Sequence, residues 1–222
     1  MNKAIQNPNI LWLHWTLNCA LGEVIGIGAA GAIAAGVFAA FGEPETTGTK
    51  LLVLLCMMFA GLIEGIALGY FQWRVLRNKF SSLTGSAWIF QTSFIAVLGW
   101  MLGMLPSLFF IDHSTPGNES AAPMPESLFA LLSIGVGLLL GALFGLFQWF
   151  ELKYHASGAG RWILANAIGW GIGIGWIYFF ASLPDEFTPI LEKVFYGICG
   201  GVLAGLSVGA VTGAFLVKMH EH

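Results

Sequence analysis

Six long apolar segments occupy most of this 222-residue chain and constrain its fold more than any other feature. They cover residues 10–41, 51–73, 87–111, 127–150, 162–183 and 194–217. Each reaches the length of about 20 residues that a helix needs to cross the hydrocarbon core of a bilayer. The last four contain no Asp, Glu, Lys or Arg. The pattern predicts an all-α polytopic membrane protein, with residues 1–222 forming a single transmembrane domain of six spanning helices.

The composition supports this class and excludes others. Only 9% of the residues are charged, whereas soluble proteins carry about 25%. The net charge of -3 and the absence of a basic stripe argue against nucleic acid as a partner. The three cysteines lie within apolar segments without metal-ligand spacing. We therefore expect the lipid bilayer as the main partner, with no metal and no cofactor, and a homo-oligomer or a membrane complex as further assembly.

The distribution of positive charge predicts the orientation of the helices. Seven of the nine Lys and Arg residues fall on the side of the predicted bundle that carries both termini: Lys3, Arg74, Arg77, Lys79, Lys153, Arg161 and Lys218. Only Lys50 and Lys193 fall on the other side. Because short cytoplasmic loops are enriched in Lys and Arg, both termini are expected in the cytoplasm of a bacterium, with the protein in the inner (plasma) membrane.

An internal repeat is the strongest pattern within the segments. Residues 61–76 match residues 137–152 at a constant offset of 76, including the glycine spacing and a Gln-Trp pair. The first segment echoes the fifth, and the sixth keeps the glycine spacing without Gln-Trp. We interpret the chain as three repeated helix pairs around a pseudo-threefold axis.

Glycine recurs at every fourth position in the second, fourth and sixth segments. Such a stripe lets helix backbones approach closely, as in a glycine zipper. We therefore predict that these three helices form the closely packed centre, although the stripes could instead line a pore. The glycines assigned to helix packing are Gly61, Gly65, Gly69, Gly137, Gly141, Gly145, Gly201, Gly205 and Gly209.

Glu23 and Glu64 are the only acidic residues deep within the apolar segments. Charged groups at membrane depth are costly and usually serve a site or a pathway. Counted from the helix ends, both lie at similar depth, about 15–18 Å from the interface. Two neighbouring carboxylates would share a proton or bind a cation. Alternatively, each is protonated and hydrogen-bonded, or solvated in a small crevice.

Three amides extend this candidate ion or substrate site: Asn18, Gln72 and Gln148. They would continue a polar path from the acids, or simply tie helices together. Two patterns typical of enzymes, GxGxxG at 26–31 and GxSxG at 205–209, fall inside apolar helices rather than after a strand. We therefore expect no enzyme activity and no catalytic residue.

Two functions remain. The first is a small channel or secondary transporter for a proton, a cation or a small solute that uses the intramembrane carboxylates. The second is a non-catalytic scaffold or accessory subunit of a membrane complex, with the glycine stripes as packing surfaces.

The motifs also resemble those of uncharacterised multi-pass bacterial membrane proteins. These proteins carry GE in the first helix, here Gly22-Glu23, and EG-x3-G-x2-QW-x2-L, here Glu64 through Leu76. No activity is established for that group. The resemblance implies a bacterial membrane protein and directs attention to the two acids.

Overall fold

The computed structural model describes residues 7–110, 125–185 and 187–222. Within these ranges the chain is all-helical and has no strands. The helices are α1 (Pro8–Phe41), α2 (Thr47–Leu76), α3 (Gly85–Leu105), α4 (Glu126–Leu152), α5 (Arg161–Ala181) and α6 (Ile190–Leu216). All six are long and apolar enough to span a membrane, which confirms the predicted fold class.

The observed helix ends differ from the predicted segments by a few residues. α2 begins four residues early because Thr46 caps it: its hydroxyl accepts from the Thr49 amide at 3.2 Å. The Thr49 hydroxyl in turn accepts from the Thr46 amide at 3.1 Å, which completes a reciprocal capping box. After α3 the chain makes a short π-helical turn, Pro106–Phe110. The predicted end of that segment, residue 111, lies outside the described residues.

The six helices form a closed ring. Each packs antiparallel against its neighbours in sequence, and α6 returns to pack against α1. We call the end where α1 begins and α6 ends the terminal face. The backbones of α2, α4 and α6 do not contact one another within the described residues. The prediction that these three helices form the closely packed centre is therefore wrong.

The glycines explain this arrangement, because they accommodate the odd-numbered helices. A methyl group on Gly65 would overlap the Cα of Ser93 in α3, and one on Gly141 would overlap the carbonyl oxygen of Asn166 in α5. A Cβ on Gly205 would lie 2.6 Å from the Cα of Ala20 in α1. Gly61 and Gly69 likewise face α3, Gly137 and Gly145 face α5, and Gly201 and Gly209 face α1.

The contact between α3 and α4 is the smallest in the ring. Seven residues after a buried tryptophan, α1 and α5 have Gly22 and Gly169, which approach the backbones of α2 and α6 closely. The same position of α3, seven residues after Trp88, is Ile95. α3 therefore lacks glycine at the position where α1 and α5 approach α2 and α6 most closely.

The outside of the ring is apolar. Large side chains such as Leu55, Phe90 and Leu139 are each more than half exposed. An apolar surface of this extent is unsuited to water and fits contact with lipid acyl chains. The most deeply buried side chains lie instead toward the terminal face, and among them are three tryptophans.

Candidate functional site

Glu23 in α1 and Glu64 in α2 are both buried, with 1% and 7% of their surface exposed. The side chain of Glu64 packs against Gly26, three residues after Glu23. At a rise of about 1.5 Å per residue, the two acids therefore differ in depth by about one helical turn. Because Gly26 and Glu23 are one turn apart on α1, the two acids are close neighbours in the bundle.

Among the described residues, Glu64 has one hydrogen-bond partner. Its Oε2 accepts from the indole Nε1 of Trp100 in α3 at 2.6 Å. Gly61, one turn before Glu64, makes room for this indole, because a Cβ there would lie 2.5 Å from Cδ1 of Trp100. The glycine spacing of α2 thus also positions the donor that holds the carboxylate.

Glu23 is held differently. Its Cβ and Cγ pack against Gly205 of α6. Its Oε1 is buried and has no hydrogen-bond partner in the part of the chain that the structure describes. No Lys, Arg or His in the described ranges forms an ion pair with either acid. An unpaired charge is costly to bury. A proton or a small cation shared by the two carboxyl groups would offset that charge.

A second polar group lies nearer the terminal face, around three tryptophans. Trp15, Trp88 and Trp162 are fully buried, and their rings meet edge to face, with centroids 5.6 Å apart for Trp15–Trp162 and 6.1 Å apart for Trp88–Trp162. Each comes from an odd-numbered helix. The three rings fill the middle of the bundle at this depth.

Each of these indoles donates to an even-numbered helix. Trp88 Nε1 donates to Gln72 Oε1 at 3.1 Å, and Trp162 Nε1 donates to Gln148 Oε1 at 2.9 Å. Trp15 Nε1 donates to Thr212 Oγ1 at 2.7 Å. The same kind of bond therefore occurs three times around the bundle, with Thr212 in place of the glutamine that α6 lacks.

The two glutamines also bond to each other. Gln148 Nε2 donates to Gln72 Oε1 and to Thr92 Oγ1, both at 3.0 Å. Gln72 Nε2 makes a longer contact, 3.7 Å, with Cys19 Sγ. One turn closer to the terminal face, three leucines are fully buried: Leu76, Leu152 and Leu216. We call the tryptophans, their partners and these leucines the closed layer.

The five predicted site residues therefore lie at three separate locations in the structure. Glu23 and Glu64 lie near each other. Gln72 and Gln148 lie together nearer the terminal face: by helical rise Gln72 is about 12 Å from the level of Glu64. Because Gln72 contacts Cys19, it is only about 6 Å from the level of Glu23. Asn18 donates to the carbonyl oxygen of His14 at 2.8 Å and lines a crevice at the terminal face. No hydrogen bond joins these amides to the acids within the described residues.

The partners of the predicted residues are not apparent from the sequence. The Gln-Trp repeat indicates Gln72 and Gln148, but not the indoles that donate to them. Trp100 could not be matched to Glu64, because the alignment of α2 with α3 is not readable from either helix alone. A usable signal exists for the tryptophans, since Trp15 and Trp162 stand at corresponding positions of the first and fifth segments.

Comparison with known proteins adds no identity. No known family matches the chain, and neither the curated proteins nor the solved structures contain a match. The fold defines the class, a six-helix all-α protein compatible with integration in a membrane.

Proposed function

We propose that this chain is a secondary transporter in which Glu23 and Glu64 carry a proton or a small cation across the membrane. The observation that carries the proposal is the buried Glu23 carboxylate, which has an unpartnered oxygen and lies beside a second acid. Carboxylates inside a membrane commonly belong to ion pathways or proton relays. Trp100 supports the role of Glu64 by holding one of its oxygens in place.

The closed layer favours a transporter over an open channel. A channel needs a continuous polar path, whereas Trp15, Trp88 and Trp162 fill the bundle on the terminal side of the acids. A transporter exposes its site to one side at a time. Interhelical hydrogen bonds in membranes contribute only about 0.6–2 kcal/mol each, so those of Gln72 and Gln148 can break and re-form during a cycle.

Proteoliposomes with an imposed proton, sodium or potassium gradient test the proposal. Glu64→Gln keeps an oxygen that accepts from Trp100 but cannot gain or lose a proton, and Glu23→Gln has the same effect at the other acid. We expect each variant to abolish ion flux while the unfolding temperature stays close to that of the wild type. Glu43→Gln, at an exposed loop position, is the matched control and should transport normally.

The alternative is a non-catalytic scaffold or accessory subunit. The completeness of the hydrogen bonds in the closed layer favours it, since a layer with satisfied polar groups stabilises a single conformation. If the double variant Glu23→Gln/Glu64→Gln moves every tested ion as the wild type does, the transporter proposal is wrong. A wild type without flux of any of these ions would also favour the scaffold.

For the orientation, we propose cytoplasmic termini in a bacterial inner membrane. The proposal is supported by the terminal face, which collects Arg74, Arg77, Lys153, Arg161 and Lys218 at helix ends. Single cysteines at Ser157 and Thr47, in a variant without the three native cysteines, test it. An impermeant thiol reagent added outside intact cells should label the Thr47 site only. Labelling at Ser157 instead would reverse the orientation.

A further inference from the structure

A polar crevice opens at the terminal face between the start of α1 and the end of α2. Its volume is about 180 Å³, and its lining includes His14, Asn18, Arg74, Arg77 and Asn78. It contains two arginines and no acidic residue. In the part of the chain that the structure describes, neither arginine forms an ion pair. The crevice therefore has the charge of a site for an anion.

Aromatic rings position both guanidinium groups. Arg77 lies over the ring of Trp73, with Cζ 4.9 Å from its centroid, and Arg74 lies 6.0 Å from the ring centroid of Phe71. Such contacts hold the cations without using their hydrogen-bond donors. Asn18 and Asn78 direct their amide nitrogens to the backbone carbonyls of His14 and Arg74. A planar guanidinium with free donors is well suited to phosphate.

The position in the membrane indicates the kind of phosphate. The crevice lies at the ends of two spanning helices, at the depth of lipid headgroups. Leu13 and Leu17, which precede His14 and Asn18 on α1, have exposed side chains that would contact acyl chains. We propose that this crevice binds the phosphate of an anionic phospholipid.

The other helix pairs provide a comparison within the same molecule. α5 and α6 form a smaller crevice of about 130 Å³ that includes Arg161 and Lys218. Arg161 directly precedes Trp162, as His14 precedes Trp15, and Lys218 follows Thr212 by six residues, as Asn78 follows Gln72. Between α3 and α4, the hydroxyl of Thr84 instead donates to Glu151 at 3.4 Å. The acid makes that third position unsuited to an anion.

Native mass spectrometry of the purified full chain with defined lipids tests the proposal. We expect the wild type to retain phosphatidylglycerol in preference to phosphatidylcholine. Arg74→Gln/Arg77→Gln should weaken retention by at least about tenfold, because hydrogen bonds to charged groups are among the stronger ones. The matched control Lys79→Gln/Lys153→Gln removes two charges from the same face outside both crevices and should retain phosphatidylglycerol like the wild type.

A second, milder variant tests the proposal in case the double arginine variant does not fold. Asn78 is exposed at the rim of the crevice, so Asn78→Asp should preserve the fold and still weaken binding of the anionic lipid. Inorganic phosphate added alone distinguishes the two sources of this group. The lipid proposal is wrong if phosphate displaces phosphatidylglycerol and binds equally well by itself. Equal retention by the wild type and the double arginine variant, or equal loss in the lysine control, would also overturn it.

Discussion

At the scale of single residues, the buried polar groups are of two kinds. Gln72 and Gln148 have partners from neighbouring helices for both ends of their amides. Glu23 has a buried oxygen without a partner among the described residues. A residue with complete hydrogen bonds stabilises the fold, whereas a buried acid with a missing partner and a second acid nearby is suited to receive a proton or a cation. This difference separates the structural amides from the candidate site.

Gln148→Leu should lower the stability of the bundle. The substitution leaves the Nε1 of Trp162 buried without an acceptor and removes the donor to Gln72 and Thr92. An unsatisfied buried group costs about 1–3 kcal/mol. The free energy of unfolding in bicelles should fall by about that amount. Gln91→Leu is the control: Oε1 of Gln91 has no partner, so its loss should matter less.

The sequence predicts which residues are polar at depth but not what they contact. Gln72 and Gln148 stand out through the repeat, and Glu23 and Glu64 through their charge. A tryptophan near a helix end, however, usually indicates an interfacial anchor. That rule gives no sign that Trp15, Trp88 and Trp162 meet in the centre, because their contacts depend on the rotation of three separate helices.

At the scale of helices, the spacing of glycines predicts that a helix packs closely, but not which helix it packs against. Glycine at every fourth position places a smooth stripe on one face of α2, α4 or α6, and the structure fills that face with a neighbouring helix. The sequence alone suggested contacts among the three striped helices. In the ring, the glycine face of α2 packs against α3, that of α4 against α5 and that of α6 against α1. The chain order and the return of α6 to α1 determine which helices are adjacent.

Two glycines of α6 test this account. Gly205→Ala should destabilise the protein, because the added Cβ would lie 2.6 Å from the Cα of Ala20 and the α1 and α6 backbones would have to separate. A Cβ added at Gly197 would have no neighbouring atom of the described residues within 4 Å. Thermal unfolding in detergent should show a lower midpoint for the first variant and an unchanged or slightly higher one for the second. Equal effects would mean that the α1–α6 contact does not depend on the glycine.

At the scale of the whole molecule, the number of spanning helices follows from the sequence, while the asymmetry of the ring does not. Apolar segment length is sufficient for six crossings. The smaller contact between α3 and α4 coincides with Ile95 at a position where α1 and α5 have glycine. The residue seven positions after Trp88 can be compared with Gly22 and Gly169 only once the structure shows that Trp15, Trp88 and Trp162 are equivalent.

The closed layer provides a whole-molecule test that separates transport from scaffolding. Cys19 is fully buried against Gln72 of this layer. If Glu23 and Glu64 carry ions across the membrane, this layer has to open during each cycle and admit water to Cys19. A thiol reacts with hydrophilic reagents only where solvent reaches it. A variant with Cys56→Ala and Cys199→Ala leaves Cys19 as the one thiol to follow.

We expect a charged methanethiosulfonate reagent on the terminal face to label Cys19 slowly at rest and several-fold faster under an ion gradient. Glu64→Gln in the same background should remain slow under the gradient, because it cannot carry the ion that drives opening. Adding Cys19→Ala removes the last cysteine and measures the labelling that does not depend on a thiol. Labelling that is equally slow with and without a gradient, in protein shown to be folded, would mean that the layer stays closed. A permanently closed layer is incompatible with transport through the bundle and fits a scaffold.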